Sequence, residues 1–419
     1  MYTKSRLNNG VRVITSTMPH AYSVCLGVFF GTGSRYERDE EAGISHFIEH
    51  LCFKGTQRRP TAKELAEEVE GVGGTLNGGT DKELTVYWCK VARPHFPLAI
   101  DVVADMLSNS KFDAEDIERE RQVIIEEINM SLDSPQQAVD TIIDRLVWPD
   151  HPMGRDVAGT KATVAALTRQ DMLGYLERHY GAGNMVITVA GGMTHQEALA
   201  SLESAFGGWR PGLHQTFLAA EDKQCRPRFH CEHRTTEQAH LCLAFPGLSL
   251  KHPDRFVLDL LNVILGEGMS SRLFTEVREK RGLAYAIQSY VNHYLDTGCL
   301  TVYAGVDPKQ VATTVRAVLE EMHLLTTEVP EIDLVKAKEL SKGRLLLRME
   351  DTRSVAAWLG GQELLLGEVL TVDQVVATID AIQADDVLRV AQRVFNPRKL
   401  NLAVVGPVEE TQLAKLVEA

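Results

Sequence analysis

Several features that mark common protein classes are missing from this 419-residue sequence. Its seven cysteines are scattered and include no Cys-x-x-Cys pair, so we expect most of them to be small buried residues rather than disulfides or zinc ligands. The first residues lack the apolar stretch of a secretory signal, and no apolar run is long enough to cross a bilayer. We therefore expect no membrane span and a cytoplasmic location. The formal net charge of -13 argues against a nucleic-acid partner.

The chain is longer than one hydrophobic core usually serves, and it repeats itself at an offset of 215 residues. At that offset residues 180–191 fall on residues 395–406. In both segments a helical pattern ends at an aromatic residue, a turn follows, and a β-branched run stops at glycine. The repeat predicts an α+β protein with two homologous domains, residues 1–215 and 216–419. Each should combine a mostly antiparallel sheet with long helices.

Two histidines and a glutamate lie close together in the sequence HFIEH, residues 46–50. In a helix, His46 and His50 are one turn apart, so both imidazoles can reach one ion. Glu49 lies at the edge of the same face, where a carboxylate that is not a ligand can take a proton from an attacking water. This order of residues is the inverzincin signature, and a catalytic zinc takes three protein ligands. The motif predicts one Zn²⁺ per chain and leaves the third ligand open.

A later acidic segment offers candidates for that third ligand. Glu120 and Glu127 are seven residues apart and would share one face of a helix. Glu126 is turned by about 100° from Glu127, so the two carboxylates cannot both face one metal. Most of this run is typical of a solvated helix face, although Glu127 lies among isoleucines. The pattern alone leaves both Glu126 and Glu127 open as the ligand.

With its neighbouring segments, the zinc motif resembles the pitrilysin/insulinase (inverzincin) metallopeptidase family. Residues 31–35 and 43–56 are similar to the opening pattern of that family, and the likeness covers nearly the whole chain. The chain is most similar to the bacterial processing-peptidase branch, whose members resemble the mitochondrial processing peptidase β subunit. The resemblance implies that Glu127 is the third zinc ligand and that Glu120 supports the site. It also implies that the two domains face each other as a clamshell around a substrate chamber.

One motif in the first half is similar to the family's edge strand, which pairs with the backbone of the substrate. It contains Thr75, Asn77 and Gly78, and the resemblance implies that the Asn77 side chain orients the peptide. Gly78 stands where the family more usually has alanine, a departure that we expect to loosen the strand.

A second motif matches an arginine and a tyrosine that reach the substrate from the second domain. Arg278 and Tyr285 have the family's spacing of seven residues. An arginine can anchor a peptide carbonyl, and a tyrosine hydroxyl can stabilise a developing oxyanion. Glu267, just before this motif, replaces a commoner glycine, and the sequence gives no reason for it.

The second half lacks a metal motif of its own. At the 215-residue offset, the three predicted ligands fall on residues that form no zinc motif, Leu261, Leu265 and Lys342. The sequence thus predicts a single-site zinc endopeptidase that cleaves short or unfolded peptides by metal-activated water, with Glu49 as the base. The resemblance implies that two such chains pair, most simply as a homodimer. The alternatives are a non-catalytic assembly subunit, which the intact motif disfavours, and a zinc hydrolase with a non-peptide substrate.

Overall fold

The structure is a computed structural model and describes residues 2–212 and 215–410. Its strands are β1 (Thr3–Arg6), β2 (Arg12–Thr17), β3 (Ser23–Phe30), β4 (Thr75–Thr80), β5 (Thr85–Ala92), β6 (Met185–Gly191), β7 (Arg228–His233), β8 (Ala239–Pro246), β9 (Ala284–His293), β10 (Gly298–Val306) and β11 (Asn401–Gly406). Its α-helices are α1 (Ile44–Cys52), α2 (Ala62–Glu70), α3 (Phe96–Asn109), α4 (Ala114–Asp133), α5 (Pro135–Val147), α6 (Lys161–Ala166), α7 (Arg169–His179), α8 (His195–Phe206), α9 (Arg255–Leu265), α10 (Val311–Leu325), α11 (Glu331–Arg348), α12 (Thr352–Leu366), α13 (Val372–Ala381) and α14 (Ala384–Val394). A π-helical segment covers Leu273–Lys280.

The strands form two sheets that share a five-stranded topology, to which the first sheet adds strand β1. The first sheet has the order β1-β2-β6-β3-β5-β4, and the second has the order β7-β11-β8-β10-β9. Within the described residues, each sheet has one parallel pair, β2 with β6 and β7 with β11, and its other pairs are antiparallel. The predicted α+β class with two similar, mostly antiparallel sheets is therefore confirmed.

The chain folds into two compact units that each include a segment from the other half of the sequence. The first unit comprises Met1–Ile128, Asp156–Leu218 and Leu346–Thr371, and the second comprises Asn129–Arg155, Ala219–Leu345 and Val372–Ala419. Helix α5 thus belongs to the second unit and helix α12 to the first. The two helices occupy matching places in the repeat, so the exchange is reciprocal. The boundary between residues 215 and 216 stays a prediction.

In the first unit, the central strand β3 is buried on both faces of its sheet. On one face Val28 and Phe30 join a core that includes Phe47 of helix α1. On the other face Phe29 packs with Leu359 of helix α12. Because α1 is fixed to the sheet through its apolar side, its polar side is left for chemistry.

In the second unit, helix α5 covers the sheet in the way that α12 covers the first sheet. Its Val139 and Ile143 join a core with Cys242 and Ala403 of the strands. Five of the seven cysteines are buried free thiols, which confirms that most of them are core residues. Among residues 2–212 and 215–410, no helix is both long and apolar enough to span a membrane.

Replacing Gly360 with alanine should lower the free energy of unfolding by about 1–3 kcal/mol, because a new methyl group would overpack a filled core. A Cβ at Gly360 would lie 2.3 Å from Cε2 of the buried Phe29 ring, whereas a Cβ at Gly361 would meet no atom within 4 Å. The control variant Gly361→Ala should therefore stabilise the same helix, by about 0.4–1 kcal/mol. Urea unfolding measures both variants, and equal effects would show that α12 does not pack on β3 at Gly360.

Candidate metal centre

The start of helix α1 is fixed by two features of the preceding loop. Gly43 has a φ of 95°, a left-handed conformation that favours glycine, and a Cβ there would lie 2.5 Å from the carbonyl oxygen of Ala158. The buried Glu37 carboxylate accepts hydrogen bonds from the backbone N–H groups of Gly43 (2.8 Å) and Ser45 (2.9 Å). A carboxylate at a helix N-terminus satisfies free donors and complements the helix dipole.

Helices α1 and α4 bring two imidazoles and one carboxylate together. Nε2 of His46 is 3.8 Å from Oε2 of Glu127, and Nε2 of His50 is 3.7 Å from the same oxygen. The two imidazole rings have centroids 4.6 Å apart. Glu126 is exposed on the adjacent surface of α4, as its different angle around the helix requires. Of the two glutamates that the sequence left open, Glu127 is the one that reaches both histidines.

This group of side chains fits a zinc ion. The ligand atoms of His46, His50 and Glu127 all lie within 4.8 Å of one another. A tetrahedral zinc with bonds of about 2.1 Å holds its ligands about 3.4 Å apart, so the observed separations need only small side-chain adjustments. Burial, with a contribution from His50, lowers the pKa of His46 to about 4, so its imidazole is neutral and can act as a ligand at pH 7.

Glu120 lies behind the ligands and contacts His50. Its Oε2 is 3.1 Å from Nδ1 of His50, and its Oε1 is 2.7 Å from Nζ of Lys54. An imidazole that donates from Nδ1 to a carboxylate keeps its Nε2 lone pair for a metal. The side chain of Glu120 is only 7% exposed, and the Lys54 ammonium offsets its buried charge.

Glu49 lies on the same helix as the histidines and faces strand β4. Its Oε2 accepts a hydrogen bond of 2.8 Å from the hydroxyl of Thr80, the last residue of β4. Burial raises the pKa of the Glu49 carboxyl, and the Thr80 hydrogen bond partly offsets that rise. A carboxylate with a raised pKa is a stronger base, which suits a group that takes a proton from water.

Strand β4 is one of the two free edges of the first sheet, since among the described residues it pairs with β5 alone. Thr75 and Asn77 are exposed along it, and Asn77 accepts a hydrogen bond of 2.8 Å from the Gly78 N–H. A Cβ at Gly78 would lie 3.2 Å from Oε1 of Glu49 and 3.1 Å from the Phe53 ring. The glycine therefore leaves room beside Glu49.

Arg278 and Tyr285 belong to the second unit. Arg278 lies in the π-helical segment, with its guanidinium 4.5 Å from the centre of the Phe274 ring. Tyr285 is 67% exposed on strand β9. Glu267, whose replacement of a commoner glycine the sequence did not explain, forms an ion pair with Arg344.

The sequence interpretation missed three residues that support the site: Thr80 contacts Glu49, Lys54 contacts Glu120, and Glu37 fixes the start of helix α1. One signal was available for Thr80, because alternate residues of a strand share a face and Thr80 lies two residues after Gly78. Lys54 and Glu37 gave no such signal, since single charged residues near a motif are common on protein surfaces.

Two protein-family models match this chain, one after the other along the sequence. Residues 12–161 match the model of insulinase (peptidase family M16), and residues 166–341 match the model of the peptidase M16 inactive domain. An uncharacterized zinc protease of Bacillus subtilis, YmxG, is 37% identical over 412 residues, covering 97% of this chain and 98% of that protein. An uncharacterized zinc protease of Streptomyces coelicolor is 36% identical over 423 residues, covering 99% and 92%.

Solved structures show the same fold. A protease from Helicobacter pylori matches with a TM-score of 0.92 at 22% identity, covering 97% of this chain and 99% of that one. A chain of Complex III2 from Candida albicans matches with a TM-score of 0.83 at 20% identity, covering 99% of both chains. At such identities the likeness is evidence of fold, while the curated relatives carry the family assignment. With more than a third of its residues identical to theirs over nearly its whole length, this protein belongs to the M16, or insulinase, family of zinc metallopeptidases.

Proposed function

We propose that this protein is a zinc-dependent endopeptidase that cleaves short or unfolded peptides by attack of water on the peptide carbonyl. The observation that carries the proposal is the meeting of His46, His50 and Glu127 near Glu49, whose carboxyl interacts electrostatically with His50 and Glu127. The free edge of strand β4 lies beside the same glutamate.

In this mechanism His46, His50 and Glu127 would hold the zinc, and Glu120 would keep His50 in the tautomer that presents Nε2. Zinc, when bound, supplies Lewis acidity that lowers the pKa of water and polarises a carbonyl. Glu49 accepts the proton of the attacking water and passes it to the leaving amine. The Thr80 hydroxyl donates to Oε2 of Glu49, which makes that oxygen less basic and favours the other oxygen, Oε1, as the proton acceptor.

The substrate would bind as an added strand along β4, since a free edge offers unpaired backbone groups to an extended peptide. Thr75, Asn77 and Gly78 line this edge. Arg278 and Tyr285 would contact the peptide from the second unit, with the arginine on a carbonyl and the tyrosine on the developing oxyanion. The 67% exposure of Tyr285 supports a role in binding.

We also propose that two identical chains form the working unit, that they are located in the cytoplasm, and that they act as a processing peptidase. The free thiol state of all seven cysteines supports a reducing location. Size-exclusion chromatography with light scattering tests the homodimer, and a monomeric mass at working concentration would exclude it.

The purified protein should cleave an internally quenched peptide, lose that activity to a chelator and regain it on addition of zinc. The reason is that the three donor side chains are the source of both metal affinity and substrate activation. Small esters and amides serve as the control, because a zinc hydrolase with a non-peptide substrate would prefer them. A zinc-loaded protein that cleaves neither class would instead be a non-catalytic assembly subunit.

A further inference from the structure

We propose that Thr80 is a positioning residue that fixes the orientation of the Glu49 carboxylate. Strand β4 would then orient the catalytic base as well as bind the substrate. This inference rests on the proposed function and adds a residue to it. It predicts that the Thr80 hydroxyl contributes to the rate of the chemical step and contributes little to zinc affinity or peptide affinity.

The contact between the two residues has one direction and a stiff geometry. The Thr80 hydroxyl is the donor, because an ionised carboxylate only accepts hydrogen bonds. Its Oγ1 lies 2.8 Å from Oε2 of Glu49. Threonine is branched at Cβ, which restricts its χ1 rotamers and so limits the positions that its Oγ1 can take.

The backbone of Thr80 is anchored to the sheet rather than to a loose loop. Thr80 pairs with Thr85 of strand β5, and β5 pairs along its length with the buried strand β3. The Thr85 hydroxyl in turn donates to the carbonyl of Thr32 at 2.9 Å. Thr80 thus ties the Glu49 carboxylate to the same sheet on which helix α1 packs. The catalytic base and the metal ligands of α1 are therefore held in fixed positions relative to each other.

Gly78 lies on the other side of the Glu49 carboxylate and leaves space there. Because a Cβ at this position would lie 3.2 Å from both Oε1 and Cγ of Glu49, a side chain here would press on the carboxylate. The hydroxyl of Thr80 occupies one oxygen, and the bare Cα of Gly78 leaves space at the other. Strand β4 therefore favours Oε1 as the proton acceptor.

The test compares Thr80→Val, which keeps the branched shape and removes the hydroxyl, with Thr80→Ser, which keeps the hydroxyl. Zinc content, kcat and KM are measured on the quenched peptide. Thr80→Val should keep one zinc per chain and a normal KM, with kcat lowered by about 10- to 100-fold for the loss of a hydrogen bond to a charged group. Thr80→Ser should stay within about threefold of the parent kcat, since its hydroxyl can still donate.

Thr17→Val is the matched control, since Thr17 is an exposed strand threonine of the first unit whose hydroxyl bonds the carbonyl of Met193 at 2.9 Å. It should leave zinc content, kcat and KM unchanged. The inference is overturned if Thr80→Val keeps the parent kcat, if Thr80→Ser loses as much as Thr80→Val, or if Thr80→Val acts through zinc loss or KM.

Failure of the proposed function would look different, because the zinc-loaded parent protein would then cleave no peptide. In that case crystal structures of the zinc-loaded parent and of Thr80→Val decide the inference. A rotated Glu49 carboxylate in the variant supports it, and an unchanged carboxylate in both overturns it.

Discussion

Replacing Glu49 with glutamine should leave a folded, zinc-loaded protein whose kcat on a quenched peptide is lower by about 10²- to 10⁴-fold, the usual contribution of a general base. Glutamine has the same shape, and its carbonyl oxygen can still accept the hydrogen bond from Thr80. It cannot take a proton from water. The zinc ligands His46, His50 and Glu127 are untouched, so metal content should remain at one ion per chain.

The thermal stability of the Glu49→Gln variant is a second, independent test of the buried Glu49 charge. Burial raises the pKa of the Glu49 carboxyl, so the charged form is disfavoured in the folded state and destabilises it at neutral pH. A neutral glutamine avoids that penalty, and Tm measured on the zinc-free protein should be equal to or higher than that of the parent. This is the usual trade between activity and stability at a catalytic position.

Glu67→Gln is the matched control for the change of charge, because Glu67 is an exposed residue of helix α2 that pairs with Lys63 at 3.4 Å. It should retain full activity. Normal cleavage by Glu49→Gln would mean that another group is the base. Loss of zinc from Glu49→Gln would mean instead that the glutamate binds or shapes the metal site.

The local part of the site could be predicted from the sequence because it depends on the period of one helix. His46, Glu49 and His50 share a side of helix α1 since Phe47, Ile48 and Leu51 are buried on the other, and a 3.6-residue period gives both facts. The repeat likewise predicted two similar, mostly antiparallel sheets, because corresponding strands occupy corresponding places in sequence; it did not predict the order of their strands.

The exchange of helices α5 and α12 could not be predicted in this way. Each is an amphipathic helix, and either sheet offers it an apolar face. In each case the choice comes after a long helix, α4 before α5 and α11 before α12, whose last residues already belong to the other unit. Which sheet each helix covers depends on contacts between residues far apart in sequence. The local hydrophobic pattern of the helix therefore does not predict it.

The choice between Glu126 and Glu127 also needed packing. Both are carboxylates on the same turn of helix α4, and which one faces α1 depends on which side of α4 is buried. Ile124 and Ile128 are buried, and Arg121 lies over the Phe47 ring of α1 with its guanidinium 5.5 Å from the ring centre. These contacts set the rotation of α4 that turns Glu127 inward and leaves Glu126 exposed.

Replacing Glu127 with glutamine should therefore weaken zinc binding by more than about 100-fold, beyond the effect expected for a residue that only supports a ligand. The loss has a direct cause, because a neutral amide replaces the only anionic donor of the three. Zinc affinity is measured by competition with a coloured chelator on the folded proteins, with circular dichroism to verify folding.

Two further variants rank the acidic residues of helix α4 by the same measurement. Glu126→Gln, the neighbouring control, should bind zinc like the parent, because its carboxylate is exposed and turned away. Glu120→Gln should lie between them, with a loss of about 10- to 100-fold, since its carboxylate orients His50 without reaching the metal. The reverse order, in which Glu126→Gln loses zinc and Glu127→Gln keeps it, would require α4 to be rotated by about 100° from the orientation that buries its isoleucines.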